Sequence, residues 1–322
     1  MSFIRFLKDW TLPVAIATGV SSYLLFRYVP ALDAVGDQIS PVVDVVFPFT
    51  VFLTLLVTFT KVDFRQMQPH RWQAWVLAAQ LALVAAVTGL VFLSDGNTEQ
   101  KMLWEGTLTC VIAPAASASP VVTGKLGGNI STMTAFVILS SLASSLLIPA
   151  VFPLLERTVH VDFLSAFFII LQKVATILVL PLLLGWLIQR YAPRLQQWIA
   201  RRPDLGFYCW AFSLAITSGI TVKNILHSEA SVALLTAIAL LSFLACLVQF
   251  AIGHVIGGHS GEVINCRQAM FQKNTALAIW VSYMYLNPMA SVGAGCYVLW
   301  QNIINSLELW RSKKAFSAPE RK

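Results

Sequence analysis

Two short polar stretches interrupt apolar runs long enough to cross a bilayer, and they limit the fold more than any other feature of this chain. The first, residues 113–123 (APAASASPVVT), holds Pro114 and Pro120. The second, residues 271–276 (FQKNTA), places Gln272, Lys273 and Asn274 side by side. Hydrocarbon offers no hydrogen-bond partner, so backbone groups freed by a break at membrane depth must be buried in protein or line a cavity. The two stretches fall at corresponding places in the two halves of the chain. Paired interruptions of this kind mark a midplane binding site in membrane proteins built from repeats.

Composition enters as support. Of the 322 residues 57% are hydrophobic and only 11% charged, where a soluble domain has roughly 25% charged. The net charge of +7 does not indicate a nucleic-acid partner, because the charges sit in short loops between apolar runs, where they set membrane orientation. The cysteines (Cys110, Cys209, Cys246, Cys266 and Cys296) have no paired or metal-type spacing. His254 and His259 lack a third ligand at suitable spacing, so neither a metal nor a cofactor is expected. Arg5 and Lys8 precede an apolar run that is longer than a signal-peptide core, and the expectation is a first spanning helix that is retained. No phosphate-binding loop, nucleophile elbow or acid–base constellation is present, and an enzyme is not expected.

A hydrocarbon core of about 30 Å takes roughly 20 apolar residues per helix. Ten segments fit: 11–28, 40–59, 72–93, 103–124, 131–154, 163–189, 206–223, 232–257, 264–285 and 290–309. With the N-terminus inside, 16 of the 22 Lys and Arg residues fall on the cytoplasmic side, and Arg27, Lys101, Arg157 and Lys223 on the other. That asymmetry supports ten spans with both termini cytoplasmic, in a membrane of the bacterial inner (plasma) type. Five spans per half invert the second half relative to the first. The expected fold is an all-α polytopic membrane protein: an inverted five-helix repeat at 1–157, another at 158–310, and a cytoplasmic tail at 311–322. Helix six starts about 152 residues after helix one, and the same offset carries Ser119 and Pro120 close to Gln272 and Lys273.

In helix four, Ser117, Ser119 and Thr123 bring hydroxyls, and Pro120 is expected to break or kink the helix and free carbonyls. These groups suit a cation or an oxyanion; hydroxyls bonded back to their own helix are the alternative. In helix nine, Lys273 is flanked by Gln272 and Asn274 and followed by Thr275. A charge at membrane depth costs about 3 kcal/mol on insertion scales, so it is expected to face a polar cavity or a partner. The alternative is snorkelling to the interface, two turns past Arg267. Lys173 in helix six and Asp44 in helix two are further charges within apolar segments. Gln80, Gln249, Gln301 and Asn302 are amides that need partners once buried.

On these motifs the chain resembles the bile acid:sodium symporter family, over nearly its whole length. The resemblance rests on the ten-helix plan, APAASASPVVT in helix four, QKNTALA in helix nine and Trp300 to Asn302 in helix ten. It implies a core domain with crossed, broken helices four and nine (helices 3–5 and 8–10), and a panel domain from helices 1, 2, 6 and 7, with the substrate between them. The helix-four pattern of the family is close to CPGGTASN followed by Thr. Pro114, Ser117, Ala118, Ser119 and Thr123 match it, whereas Ala115 and Ala116 replace the glycines and Pro120 the asparagine. Gln80 matches a glutamine that contributes to a sodium site. In helix nine the family pattern is close to ETGMQNSGLA, which puts Ala269 in the place of the glutamate and Lys273 in that of the glutamine. Helix-five hydroxyl positions are taken by Met133 and Val137. The resemblance therefore implies the fold but not sodium coupling of the usual kind, with Gln80 and Ser119 the best remaining matches to sodium ligands.

The leading expectation is a secondary transporter of a small organic anion working by alternating access, as a monomer or homodimer in the lipid bilayer. The residues expected at the site are Gln80, Ser117, Ser119, Pro120, Thr123, Gln272, Lys273, Asn274, Thr275 and Asn302. The alternative is a membrane sensor or receptor that keeps the pocket and does not move its ligand.

Overall fold

The computed structural model describes residues 11–29, 32–61, 69–94, 96–155, 163–202, 205–227 and 230–317. The elements are all helices: α1 (Thr11–Tyr28), α2 (Asp33–Thr60), α3 (Arg71–Leu93), α4 (Thr98–Ile112), α5 (Ser119–Lys125), α6 (Ile130–Leu155) and α7 (Phe163–Leu178) in the first part of the chain. They continue with α8 (Leu180–Tyr191), α9 (Pro193–Ala200), α10 (Leu205–Leu226), α11 (Val232–Ser260), α12 (Val263–Phe271), α13 (Thr275–Tyr285) and α14 (Ala290–Ser317). Among the described residues six stretches are long and apolar enough to cross a membrane: Pro41–Thr60, Arg71–Leu93, Ile130–Leu155, Phe163–Tyr191, Tyr208–Leu226 and Val232–Ser260. Much of their surface is exposed leucine, valine and phenylalanine (Val45, Leu164, Phe168, Leu240). A solvent of water would leave that surface unsatisfied, whereas hydrocarbon accepts it, and the chain is an integral, multi-pass membrane protein.

Helix boundaries depart from the expected segments where proline intervenes. The segment expected at 163–189 is two helices, because Pro181 supplies no N–H and the run breaks at Val179. In the loop expected at 189–205, Pro193 opens a further short helix, α9, at a position in the first turn that suits proline.

Two sets of helices pack among themselves. In one, α10 lies on α1 and α2, and α2 lies on α8. In the other, α4 is surrounded by α3, α11 and α14, while α11 packs along α12 and α14 along α13. The sets meet mainly through α6 on α7, and through α10 against α13 and α14. The largest buried cluster includes Phe47, Leu55 and Phe59 of α2 together with Trp72, Met133 and Phe136, the Trp72 and Phe136 rings lying 5.5 Å apart. Where α14 crosses α4 the backbones come so close that a β-carbon on Gly293 would collide with the carbonyl oxygen of Gly106. Glycine at position 293 lets the two helices touch, and that contact brings the rest of α14 within reach of the second break.

Candidate functional site

Each break has a local cause. A residue that precedes proline is pushed out of the helical region, and Ala113, before Pro114, is extended (φ −63°, ψ 146°), so α4 stops at Ile112. Pro120 stands instead in the first turn of α5, where its missing N–H costs nothing. Pro114 thus makes the break and Pro120 helps restart the helix, the reverse of the expectation for Pro120. The second break contains no proline. There α12 ends at Phe271, Gln272 is extended, and α13 restarts behind Asn274, whose side-chain oxygen accepts from the Leu277 N–H at 3.2 Å. That is an N-cap, one of the few ways to satisfy a free donor at a helix start.

The two breaks cross and pair with each other. Ala115 and Lys273 form an isolated antiparallel bridge. The Ala116 N–H donates to the Gln272 carbonyl and the Asn274 N–H to the Pro114 carbonyl, both at 2.8 Å. Each interruption therefore supplies part of the hydrogen bonding that the other lacks, which resolves the cost of irregular backbone in an apolar setting.

Neighbouring helices supply the rest. The Ala115 N–H donates to Ser140 Oγ of α6 at 3.1 Å. The Lys273 N–H donates to Gln301 Oε1 of α14 at 2.9 Å, and Gln301 Nε2 donates back to the Lys273 carbonyl at 3.3 Å. In both halves, then, the long helix that follows the break caps the N–H of the bridging residue. The carbonyls at the end of α4 are met by Gln80 Nε2, which donates to Ala113 at 3.0 Å and Val111 at 3.3 Å, and by Ser144 Oγ, which donates to Ile112 at 3.1 Å. At the end of α12 the Tyr297 hydroxyl donates to the Phe271 carbonyl at 2.7 Å, and Gln249 Nε2 donates to that hydroxyl at 2.9 Å and to the Cys110 carbonyl at 3.2 Å.

Against this paired backbone several polar heads stand out. Lys273 is only 1% exposed, and its Nζ has no hydrogen-bond partner among the described residues. Gln272 Oε1, Gln80 Oε1 and Thr123 Oγ1 are buried and unpartnered in the same sense. Ser119 is fully buried and donates to the Gln272 carbonyl at 3.4 Å. Ser117, Pro120, Asn274 and Thr275 are buried within or beside the two breaks. Asn302 lies apart: it is half-buried and donates to the Val298 carbonyl of its own helix at 2.8 Å. Lys173 and Asp44 are exposed on the outer faces of α7 and α2.

Ala269, Met133 and Val137, which stand where the resemblance places an acid and two hydroxyls, are buried and apolar. Among the described residues no group of three or more His, Cys, Asp or Glu side chains gathers as a metal site. Ser140 and Tyr297 were not foreseeable as parts of this arrangement, since a serine in a serine-rich helix and a tyrosine near a helix middle carry no distinctive spacing. Gln301 carried a weak signal, an amide in an apolar run.

Residues 48–258 match the family described as the Sodium Bile acid symporter family, well over half of the chain. The matched stretch contains the first break and ends before the second. Comparison with the curated proteins gives no match.

Proposed function

The chain belongs to the Sodium Bile acid symporter family, and from that premise we propose that it transports a small organic anion through a site at the crossing of its two broken segments. In this reading ten spans form two inverted repeats, 1–157 and 158–310, with both termini on the cytoplasmic, basic side. One unit consists of α1, α2, α7, α8 and α10 and the other of α3–α6 with α11–α14. Relative movement of the two exposes the crossing to either side in turn.

The observation that carries the reading is the Lys273 head, buried and unpartnered beside the bridge. A buried charge is tolerated when a counter-charge or a cavity attends it. A carboxylate or similar anion arriving at the crossing supplies that counter-charge, and the N-terminal end of α13, with its positive dipole end, adds to the attraction. The residues that accompany Lys273 in this role are Gln272, Asn274 and Thr275 from the second break, with Ser117, Ser119 and Thr123 from the first.

The same head argues against sodium as the driving ion. Two unit charges 4 Å apart repel by about 4 kcal/mol at an effective dielectric of 20, and Ala269 offers no acid to offset it. Gln80, the best remaining match to a sodium ligand, uses its amide nitrogen on the end of α4, although its oxygen is unpartnered. The test is uptake of organic anions into proteoliposomes with sodium, potassium or choline outside. Equal uptake in all three is expected. A steep sodium requirement would show that other groups bind the ion, and binding without flux would identify a sensor in place of a transporter.

A further inference from the structure

A second cluster of charge lies away from the crossing, on the short helix α9. Here Arg194, Gln197, Trp198, Arg201 and Arg202 surround a surface cavity of ≈ 610 Å³. We propose that this cavity binds the phosphodiester headgroup of an anionic phospholipid.

Three observations carry the assignment. The first is concentrated positive charge. From residue 163 to 203 the chain contains no Asp or Glu, and among the described residues no carboxylate pairs with Arg194, Arg201 or Arg202. A guanidinium presents a planar fork of donors that matches phosphate oxygens, so unpaired arginines facing one cavity suit a phosphate. The second is the pattern along the helix. Arg194, Gln197 and Arg201 follow helical spacing on one side, while Leu195 and Trp198 (45% and 50% exposed) lie on the neighbouring side. α9 starts two residues beyond the membrane-length stretch that ends at Tyr191. A helix with adjacent basic and aromatic stripes at that level lies in the interface, with its apolar side among the lipid chains. A soluble phosphate would have no use for that apolar stripe, and it is this stripe that favours a lipid as the source of the phosphate.

The third observation is that two of the side chains brace each other and the backbone beside them is tied to a neighbouring helix. Arg202 donates to the Trp198 carbonyl at 2.9 Å and its guanidinium lies 3.8 Å from the Trp198 ring centre, which fixes both side chains against each other. Ile199 is buried, and Lys61 donates to the Arg202 carbonyl at 2.7 Å. Gln189 of α8 holds the end of α2 through the carbonyls of Phe59 and Thr60 at 3.0 and 3.1 Å. A lipid seated here would contact α9 and the Arg201 and Arg202 turn behind it, which Lys61 ties to the end of α2.

The test uses purified full-length protein in mixed micelles, titrated with phosphatidylglycerol, phosphatidylcholine or glycerol 3-phosphate, with thermal stabilisation as the readout. Stabilisation by phosphatidylglycerol alone is expected. Basic residues near a membrane surface contribute about five-fold in affinity each, so R194Q/R201Q should weaken the response about 25-fold, while R194K/R201K, which keeps the charge and loses the guanidinium fork, should weaken it by less. If the glutamine pair does not fold, R194Q alone should show the five-fold loss. Equal stabilisation by phosphatidylcholine, equal stabilisation by glycerol 3-phosphate, or an unchanged phosphatidylglycerol response in the glutamine variants would each overturn the proposal. Failure here leaves the transport reading untouched, because no residue of the crossing is involved.

Discussion

Replacing Lys273 by methionine should make the protein more stable and at the same time remove its affinity for an organic anion. The first half follows from the cost of the present arrangement. Lys273 is buried with Nζ unpartnered among the described residues. A charged head at membrane depth costs about 3 kcal/mol, and a buried polar head without a partner costs about 1–3 kcal/mol even when uncharged. Methionine is apolar, flexible and close in volume to the lysine stem, so the repacking penalty is below about 1.5 kcal/mol. The backbone bridge and the Gln301 cap do not involve the side chain and survive the change. The net is a gain of about 1–2 kcal/mol. At roughly 2–4 °C per kcal/mol for chains of a few hundred residues, Tm should rise by about 2–8 °C.

The second half follows from the role proposed for the head. Loss of a hydrogen bond to a charged group costs about 1.5–3 kcal/mol, so anion affinity should fall ten- to hundredfold. Both quantities come from one set of thermal scans in detergent, run with and without a panel of organic anions. A methionine variant less stable than the parent would mean that the head has a structural partner. A variant that keeps its anion response would mean that the head does not face the substrate. Either result refutes the reasoning.

Two further outcomes are expected. Gln301→Leu strips the Lys273 N–H of its acceptor, whereas the Lys273 carbonyl keeps the Thr275 N–H at 2.9 Å; one orphaned buried donor should cost about 1–3 kcal/mol. Gln301→Glu keeps an acceptor and should cost less, and thermal scans that rank the two variants equally would show that the cap contributes nothing. In a background without the native cysteines, single cysteines at positions 97 and 197 should be labelled by an impermeant reagent from opposite faces of the membrane, and labelling of both from one face would sink the inverted-repeat arrangement.

The membrane character and the positions of both breaks were legible in the sequence because each follows from composition over about twenty residues. What was not legible is the partner of each break. Ala115 and Lys273 are far apart in the chain, and a single bridge leaves no periodic trace. The serines of α6 illustrate the same limit. Ser141 and Ser145 only donate to carbonyls of their own helix, at Val137 and Leu142, while Ser140, which also donates to Val137, accepts from the Ala115 N–H and Ser144 donates across to Ile112. Composition is identical in the two cases; only the face of the helix differs. Gln301 and Asn302 are likewise adjacent amides separated by about 100° around α14, and the helix register turns Gln301 to the crossing and Asn302 back on its own carbonyls. The two prolines of the first break gave one signal with two meanings, and the backbone of Ala113 decides that Pro114 is the breaker.

The source of the caps bears on how such a site could move. Gln80 lies on α3, Ser140 and Ser144 on α6, Gln249 on α11, and Tyr297 and Gln301 on α14. Sliding any of these helices against the crossing would strip hydrogen bonds from buried backbone, at about 1–3 kcal/mol for each group left unpaired. Several such losses at once exceed what an ordinary conformational equilibrium tolerates, so the crossing and its caps are constrained to travel as one piece. Among the described residues no cap of either break comes from α1, α2, α7, α8 or α10; a polar link from α10, Asn224 to Ser291 Oγ at 2.6 Å, involves side chains rather than the backbone of the breaks. If Lys273 is exposed in turn to the two sides, as the proposed transport requires, the lowest-cost path runs along the contacts of α6 with α7 and of α10 with α13 and α14.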